Sequence, residues 1–386
     1  METRRPRGPA RWATQPPAEA LARAVLDRAL AVRRGESVVI EAWSHALPWA
    51  RALVVEARRR GATPTLVLED EEAFFGSLAL APRRRLPVAG RLPPATDAYV
   101  YLGGPEAFPR LLALPPAELE SIVGRHGAAW WRAARASRLR AAGVALAAVT
   151  ETAADRYGVD VDGWRREVLR ASLIDPRRLA RRARACVRGA RPGSVVEIRH
   201  ANGTALTLRL GREPPIVEDG TVDPGDRRTG RFWTGVPAGA IAWPLAAGVA
   251  DGWWESNRPT FDRFAEPPVT VGARFLFRAG RLDEFAFDRG GEAFEAAYAH
   301  GGPGRDLATA LTLGLNPAIA HAPELGELAA GTVGLVLGGR ARGDGRPARF
   351  RYLSLLAGAD VTVAGRPWIR AGAPAAHRAP RRGVRR

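Results

Sequence analysis

The sequence predicts an α/β fold in two domains: an N-terminal α/β domain on a mainly parallel sheet, then a mostly β (α+β) C-terminal domain. Three observations carry this. The N-terminal half alternates amphipathic helical segments with short apolar runs, the pattern of βαβ units. From Ser194 onward, short strands, glycines and prolines dominate. The 386 residues, 46% of them hydrophobic, suffice to bury two cores.

Taken in order, "PAEALARAVLDRALAV" is apolar at Leu21, Val25, Ala29 and Val32, a core-facing helix that breaks at Gly35. "SVVIEA" follows as a buried strand. "LPWARALVVEARRRG" is a helix with Pro48 in its first turn and Gly61 just past its end. "TPTLVLED" and "DAYVYLGG" are the next strands. The acidic run "EDEEAF", Glu69 to Phe74, reads as a solvated loop at a strand end, where α/β folds often bind ligands. "YGVDVDGWRREVLRASLIDPRRLARRARACV" is two helices parted at Asp175-Pro176, with Asp175 as N-cap and Pro176 in the first helical position. "SVVEIRHANGTALTLRLG" is a hairpin turning at Asn202-Gly203. The expected domains are 18–192 and 193–372, between disordered basic tails at 1–17 and 373–386.

Net charge is +18, and every one of the 58 basic residues is Arg, which points to coding bias rather than to a nucleic-acid site. The Pro-rich tails contribute +3 and +5 of that charge. Arg177, Arg181, Arg184 and Arg188 fall on one helical face opposite Leu179, Ala183, Cys186 and Val187, a solvated stripe without aromatic stacking partners. Arg-rich tails imply only weak, salt-sensitive adhesion to nucleic acid. No apolar run has membrane-span length, and the N-terminus lacks a secretory apolar stretch. A lone Cys186 forms no internal disulfide and no zinc pattern. A cytoplasmic protein is the expectation.

Chemistry-bearing motifs are scarce. There is no Gly-x-Gly-x-x-Gly cradle, no Gly-x-Ser-x-Gly elbow and no His-Glu-x-x-His helix. His45, His126, His200, His300, His321 and His377 have no partner at metal-ligand spacing. Glu292 and Glu295 sit three apart on a short helix and read as a solvated stripe. Trp233, Trp253 and Trp254 are candidate cleft aromatics, but alternation along "DGWWESN" sends neighbouring Trp side chains to opposite faces and favours core packing for one.

Several fragments, in common order and spacing, resemble the metallo-aminopeptidase family of aminopeptidase T and aminopeptidase S, with which a ring-opening dihydroxypyridine dioxygenase branch shares its architecture. They are "VLDRALAVRRGESVVI", "RHANGTALTLRLG", "REPPIVEDGTVDPGD", "GVPAGAIAWPL", "LTLGLNPAI", "GTVGLVLGG" and "SLLAGADVTVAGRPWIRAG", spread from about Leu21 to Gly372. The resemblance implies a two-domain fold, a homodimer, a peptide or small-molecule ligand, and two divalent metals such as zinc or cobalt. In the family these metals are held by two Glu, two His and one Asp. Such donors lower the pKa of a bridging water, whose hydroxide attacks the peptide carbonyl.

Carried over residue by residue, the two Glu fall on Ala240 and Ala310, the first His on Gly334, and the His-x-Asp pair on Arg351 and Leu353. A shift of a residue at the last pair changes nothing, because "FRYLSLL" holds neither His nor carboxylate. Gly314, Asn316, Pro317, Gly331 and Thr332 match the family's scaffold.

The expectation is therefore a catalytically degenerate homologue, a pseudoenzyme with no metal cofactor that keeps a binding or structural role. The rival is an active metal-dependent aminopeptidase or hydrolase with relocated ligands drawn from Glu255, Asp306, His321 and Glu327, or metal-free chemistry in the same cleft beside Asn316, Trp253 and Trp254.

Overall fold

The computed structural model describes residues 16–80, 95–106, 108–114, 130, 133–137, 139–339 and 350–374. The predicted tails lie outside these residues except at their inner ends. There, Pro16 and Pro17 already open a helix, and Ala373–Pro374 pairs with the Arg366–Arg370 strand. His126 and His377 also lie outside. By backbone contacts the chain groups into two compact units: Met1–Glu106, Pro116–Ala148 and Val222–Trp233 form one, and Ala107–Pro115, Val149–Thr221 and Thr234–Arg386 the other. The helices between Glu151 and Gly189, read from the sequence as N-terminal, thus group with the second unit.

In the first unit four strands run parallel in the order Thr63–Glu69, Ser37–Trp43, Ala98–Leu102, Arg140–Val144. The helix Leu47–Arg59 makes the crossover between the first pair in sequence. Pro48 stands in its first turn, Ala50, Leu53 and Ala57 are buried, and Gly61 leaves it at φ 74°. Val38, Ile40 and Ala42 are buried on one face of the sheet. On the other, Val39 and Tyr99 pack with Trp130, Leu139, Ala141 and Phe232. Phe232 returns from far along the chain, and its carbonyl accepts the Ala141 N–H at 2.7 Å. Gly143 is obligatory beside it, because a Cβ there would lie 2.4 Å from Trp233 Cζ2. The acidic run is not a loop. Asp70 caps the helix Glu71–Leu80, its carboxylate accepting the Ala73 N–H at 2.9 Å.

Glu41 is buried on the Tyr99 face and accepts the Tyr99 hydroxyl at 2.6 Å. Burial pushes its carboxyl above the ordinary range, the Tyr99 hydrogen bond opposes this, and the Glu69 charge adds to it. A folded-state pKa above the unfolded one means the folded state holds more protons. The stabilisation from Glu41 is therefore complete below its unfolded pKa and is lost as pH rises through the folded value. Glu41→Gln, which still accepts from Tyr99, should gain in Tm relative to the parent as pH goes from 4 to 8. Melting curves across that range check it, and a pH-independent difference would refute it.

The second unit is two sheets around one core. The larger has the order Arg281–Ala286, Arg274–Arg278, Asp251–Glu255, Ala205–Arg209, Val195–Arg199, Asp360–Val363, Arg366–Arg370, Ala373–Pro374. The hairpin expected at Asn202-Gly203 is its Val195–Arg199 and Ala205–Arg209 pair. The smaller sheet has the order Arg351–Ala357, Thr332–Gly338, Ala308–Gly314, Ala240–Pro244, Ile216–Glu218, all antiparallel. Ile241, Trp243, Leu311, Leu313, Val333, Leu335 and Leu356 point from one of its faces into the common core.

The helix Pro176–Gly189 adds Leu179, Ala183 and Cys186 to that core and turns Arg177, Arg181, Arg184 and Arg188 to solvent. Its N-cap is Asp175, bonded to the Arg177 N–H at 2.9 Å. Among the described residues no helix is long and apolar enough to cross a membrane.

Candidate functional site

Alternation along a strand decides what the outer face of the smaller sheet carries. Because Ile241, Leu311, Leu313, Val333, Leu335 and Leu356 point inward, Ala240, Ala310, Thr312, Gly334, Arg351 and Leu353 share the opposite face. The register draws them together. Gly334 lies opposite Thr312 and Leu355, Thr312 opposite Ala242, Ala310 opposite both Val336 and Pro244, and Leu353 opposite Val336. Ala240 pairs with Gly314 on one side and Glu218 on the other. Five positions scattered over more than a hundred residues thus come to one sheet face, with Thr312 in their midst.

No donor side chain stands at any of the four smaller or apolar positions, and the fifth, Arg351, is a cation that repels a metal ion. The space is also taken. A Cβ built on Gly334 would lie 2.2 Å from Thr312 Oγ1, 2.9 Å from Leu353 Cδ1 and 3.3 Å from Leu355 Cδ2. Thr312 is 7% exposed, and its hydroxyl has no hydrogen-bond partner among the described residues. These residues do not fit a dinuclear metal centre of the carboxylate–imidazole kind.

The candidate relocated ligands are not gathered either. Glu255 ends a strand of the other sheet, where its backbone meets Asn202 and Thr204. Asp306 binds Arg281. His321 Nδ1 lies 3.4 Å from Arg258 on an exposed loop. Glu327 sits in the 3-10 turn Gly326–Leu328, whose backbone packs over Gly314. Burial raises its carboxyl, the Arg351 charge lowers it, and the Glu218 charge raises it. Among the described residues no three His, Cys, Asp or Glu side chains are placed to hold a metal ion.

The other candidates have structural partners. Asn316 is fully buried; its Nδ2 donates to the Ala238 carbonyl at 2.8 Å and the Ala171 carbonyl at 3.2 Å, while its Oδ1 accepts the Ala318 N–H at 3.0 Å. Trp254 is in the core, its indole N–H donating to Ser354 Oγ at 2.8 Å. Trp253 is half-buried on the other face, as alternation requires. Trp233 packs edge-on to Trp130 in the first unit. Glu292 and Glu295 are exposed. His45 and His300 bond to the carbonyls of Ala147 and Ala296, and His200 Nδ1 accepts the Asn202 N–H.

Two features carry no sequence signal. Glu167 Oε1 accepts the N–H groups of Ala320, His321 and Ala322 at 2.5, 2.8 and 3.1 Å. The Glu324 carboxylate, on a backbone at φ 60°, receives the Tyr157 hydroxyl and the Arg263 guanidinium, whose Nε lies 2.9 and 3.1 Å from its two oxygens. Burial and then the Glu324 charge raise the Tyr157 hydroxyl well above its usual range. Together they clamp the loop that runs from Asn316 to Glu327 over the sheet. Partners separated by up to 167 residues leave no local pattern to read.

The architecture defined here, a parallel-sheet α/β unit with a second unit of two packed sheets, is the aminopeptidase T-like fold. AmpT from Thermus thermophilus superposes with a TM-score of 0.67 at 16% identity, over 94% of this chain and 100% of that one. The 2,5-dihydroxypyridine dioxygenase from Pseudomonas putida KT2440 superposes with a TM-score of 0.60 at 14% identity, over 95% of this chain and 99% of that one. No family model and no curated protein matches the sequence.

Proposed function

We propose that this chain is a degenerate member of the aminopeptidase T-like family that has lost the dinuclear metal centre and retains a binding or structural role. The single observation that carries this is the outer sheet face. All five positions matched to metal ligands lie on it, none offers a donor, and Thr312 and Leu353 fill the space beside Gly334. The family reading is supported by two full-length superpositions. The side chains of Ala242, Ala310 and Leu353 on this face can neither polarise a carbonyl nor generate a hydroxide.

The test is metal content and activity on the same preparation. Protein purified without chelators, then dialysed against zinc or cobalt, is expected to retain well under one metal per chain and to leave aminoacyl-p-nitroanilides intact. Stoichiometric zinc, cobalt or iron together with peptidase activity would overturn the reading.

A further inference from the structure

The outer face of the larger sheet holds a hollow of about 520 Å³, within the size range of small-molecule sites. Its floor is the end of the Ala205–Arg209 strand and the start of the Asp251–Glu255 strand, which pair with Thr207 opposite Asp251. Val195, opposite Arg209, and Val249, 36% exposed, add apolar side chains. The wall is fixed backbone. The Gly280 N–H donates to the Ala250 carbonyl at 3.0 Å, and a Cβ at Gly280 would lie 2.0 Å from the Gly248 carbonyl carbon. The hairpin turn at Ala279 and Gly280 and the segment from Gly248 to Ala250 therefore make one continuous wall, and the hollow is preformed.

The hollow carries a cation and an anion that do not meet. Arg209 and Asp251 are exposed, lie on adjacent strands and face the same side. They are diagonal neighbours, a spacing of about 7–8 Å. Arg209 Nη1 donates to the Gly193 carbonyl at 3.2 Å, which draws the guanidinium toward the Val195–Arg199 side of its strand, while Asp251 lies on the other side. Among the described residues neither side chain is in an ion pair, and the Thr207 hydroxyl beside them has no hydrogen-bond partner. The neighbouring hairpin differs: Arg274, Arg278 and Arg281 each meet an aspartate, at Asp288, Asp283 and Asp306.

We propose that this hollow binds a small zwitterion, with its carboxylate on Arg209, its ammonium group on Asp251 and its aliphatic body along Val195 and Val249. A lone anion would satisfy Arg209 and be repelled by Asp251, and a lone cation the reverse. A molecule that carries both charges meets both. The guanidinium keeps N–H groups for the carboxylate beyond the one that Gly193 takes, and the Thr207 hydroxyl can donate to the same group. The ligand class covers α-amino acids and ω-amino acids alike, since each holds the two charges on an aliphatic frame. The hollow lies on the outer face of the larger sheet, and the positions matched to metal ligands lie on the outer face of the smaller one. The inference therefore stands apart from the loss of the metal centre.

Calorimetric titration of the full chain tests it. L-valine or γ-aminobutyrate should bind saturably at about one per chain, with a Kd of about 1 mM or tighter. The tighter of the two tells an α-amino acid from an ω-amino acid. Butanoate and butylamine carry one charge each and should bind about tenfold more weakly or worse. Arg209→Gln and Asp251→Asn should each weaken zwitterion binding about tenfold or more, the cost of one charged hydrogen bond, with an unchanged circular dichroism spectrum. Added salt should weaken it as well. If neither zwitterion binds saturably, if binding survives both substitutions, or if butanoate binds as tightly as the zwitterions, the proposal is overturned. Should one variant fail to fold, the other variant and the single-charge analogues decide.

Discussion

Gly334→His is expected to lower stability by about 2 kcal/mol or more and to recover no metal. The imidazole must start from a Cβ 2.2 Å from Thr312 Oγ1 and 2.9 Å from Leu353 Cδ1, inside a strand whose residues are all buried. Overpacking a closed site costs roughly 1–3 kcal/mol even for small additions. Gly334→Ala separates the two effects. Its nearest obstacles are the ends of side chains that can rotate away, so it should cost well under half as much. Denaturant unfolding of both variants, with metal analysis of the His variant, checks this. A Gly334→His protein as stable as the parent and carrying a metal ion would show that the site is open and that ligands converge on it from elsewhere.

Asn316→Leu should be the more damaging change. The amide is fully buried; it donates to the Ala238 and Ala171 carbonyls and accepts the Ala318 N–H, and of these the Ala171 carbonyl also accepts the Ile174 N–H. Leucine has similar bulk but no polar atoms, so the Ala238 carbonyl and the Ala318 N–H stay desolvated and lose this partner. At roughly 1–3 kcal/mol for each such group, a loss of about 3 kcal/mol or more follows. Hydrogen exchange should also quicken locally in the Leu315–Ala322 loop. Asn316→Asp keeps the acceptor and loses the donors, so it should fall between. An Asn316→Leu protein as stable as the parent would mean the Ala238 carbonyl and the Ala318 N–H find other partners.

The sequence resolves those parts of the fold that local chemistry specifies. Asp175-Pro176 marks a helix start because a carboxylate cap and a fixed φ act within one turn. Asn202-Gly203 marks a hairpin for the same kind of reason. The acidic run at Glu69 was legible too, since Asp70 precedes Ala73 by the capping distance, but its charge suggested a solvated loop and concealed the helix. What stayed hidden depends on distant partners. "TPTLVLED" reads as a strand, and nothing in it shows that among the described residues it pairs on one side alone. Thr312 is an ordinary strand residue until the register places it beside Gly334. Tyr157, Arg263 and Glu324 meet only through the fold.

The positions of Ala240, Ala310, Gly334, Arg351 and Leu353 came from a resemblance, and the register brings all of them to one face. Spacing alone could not have chosen that face, because either parity of each strand reads as apolar.

The excursion of Val222–Trp233 into the first unit has a consequence for how this protein can be handled and inherited. Phe232 closes the aromatic cluster around Tyr99 and Trp130, yet it is encoded between two stretches of the other unit. No single cut yields both units whole. A fragment ending at Ala148 lacks the Phe232 ring and the carbonyl that receives the Ala141 amide. A fragment starting at Val149 carries Phe232 away from its cluster. The two units are therefore not interchangeable modules. A cut between the two units separates Phe232 from the cluster it completes.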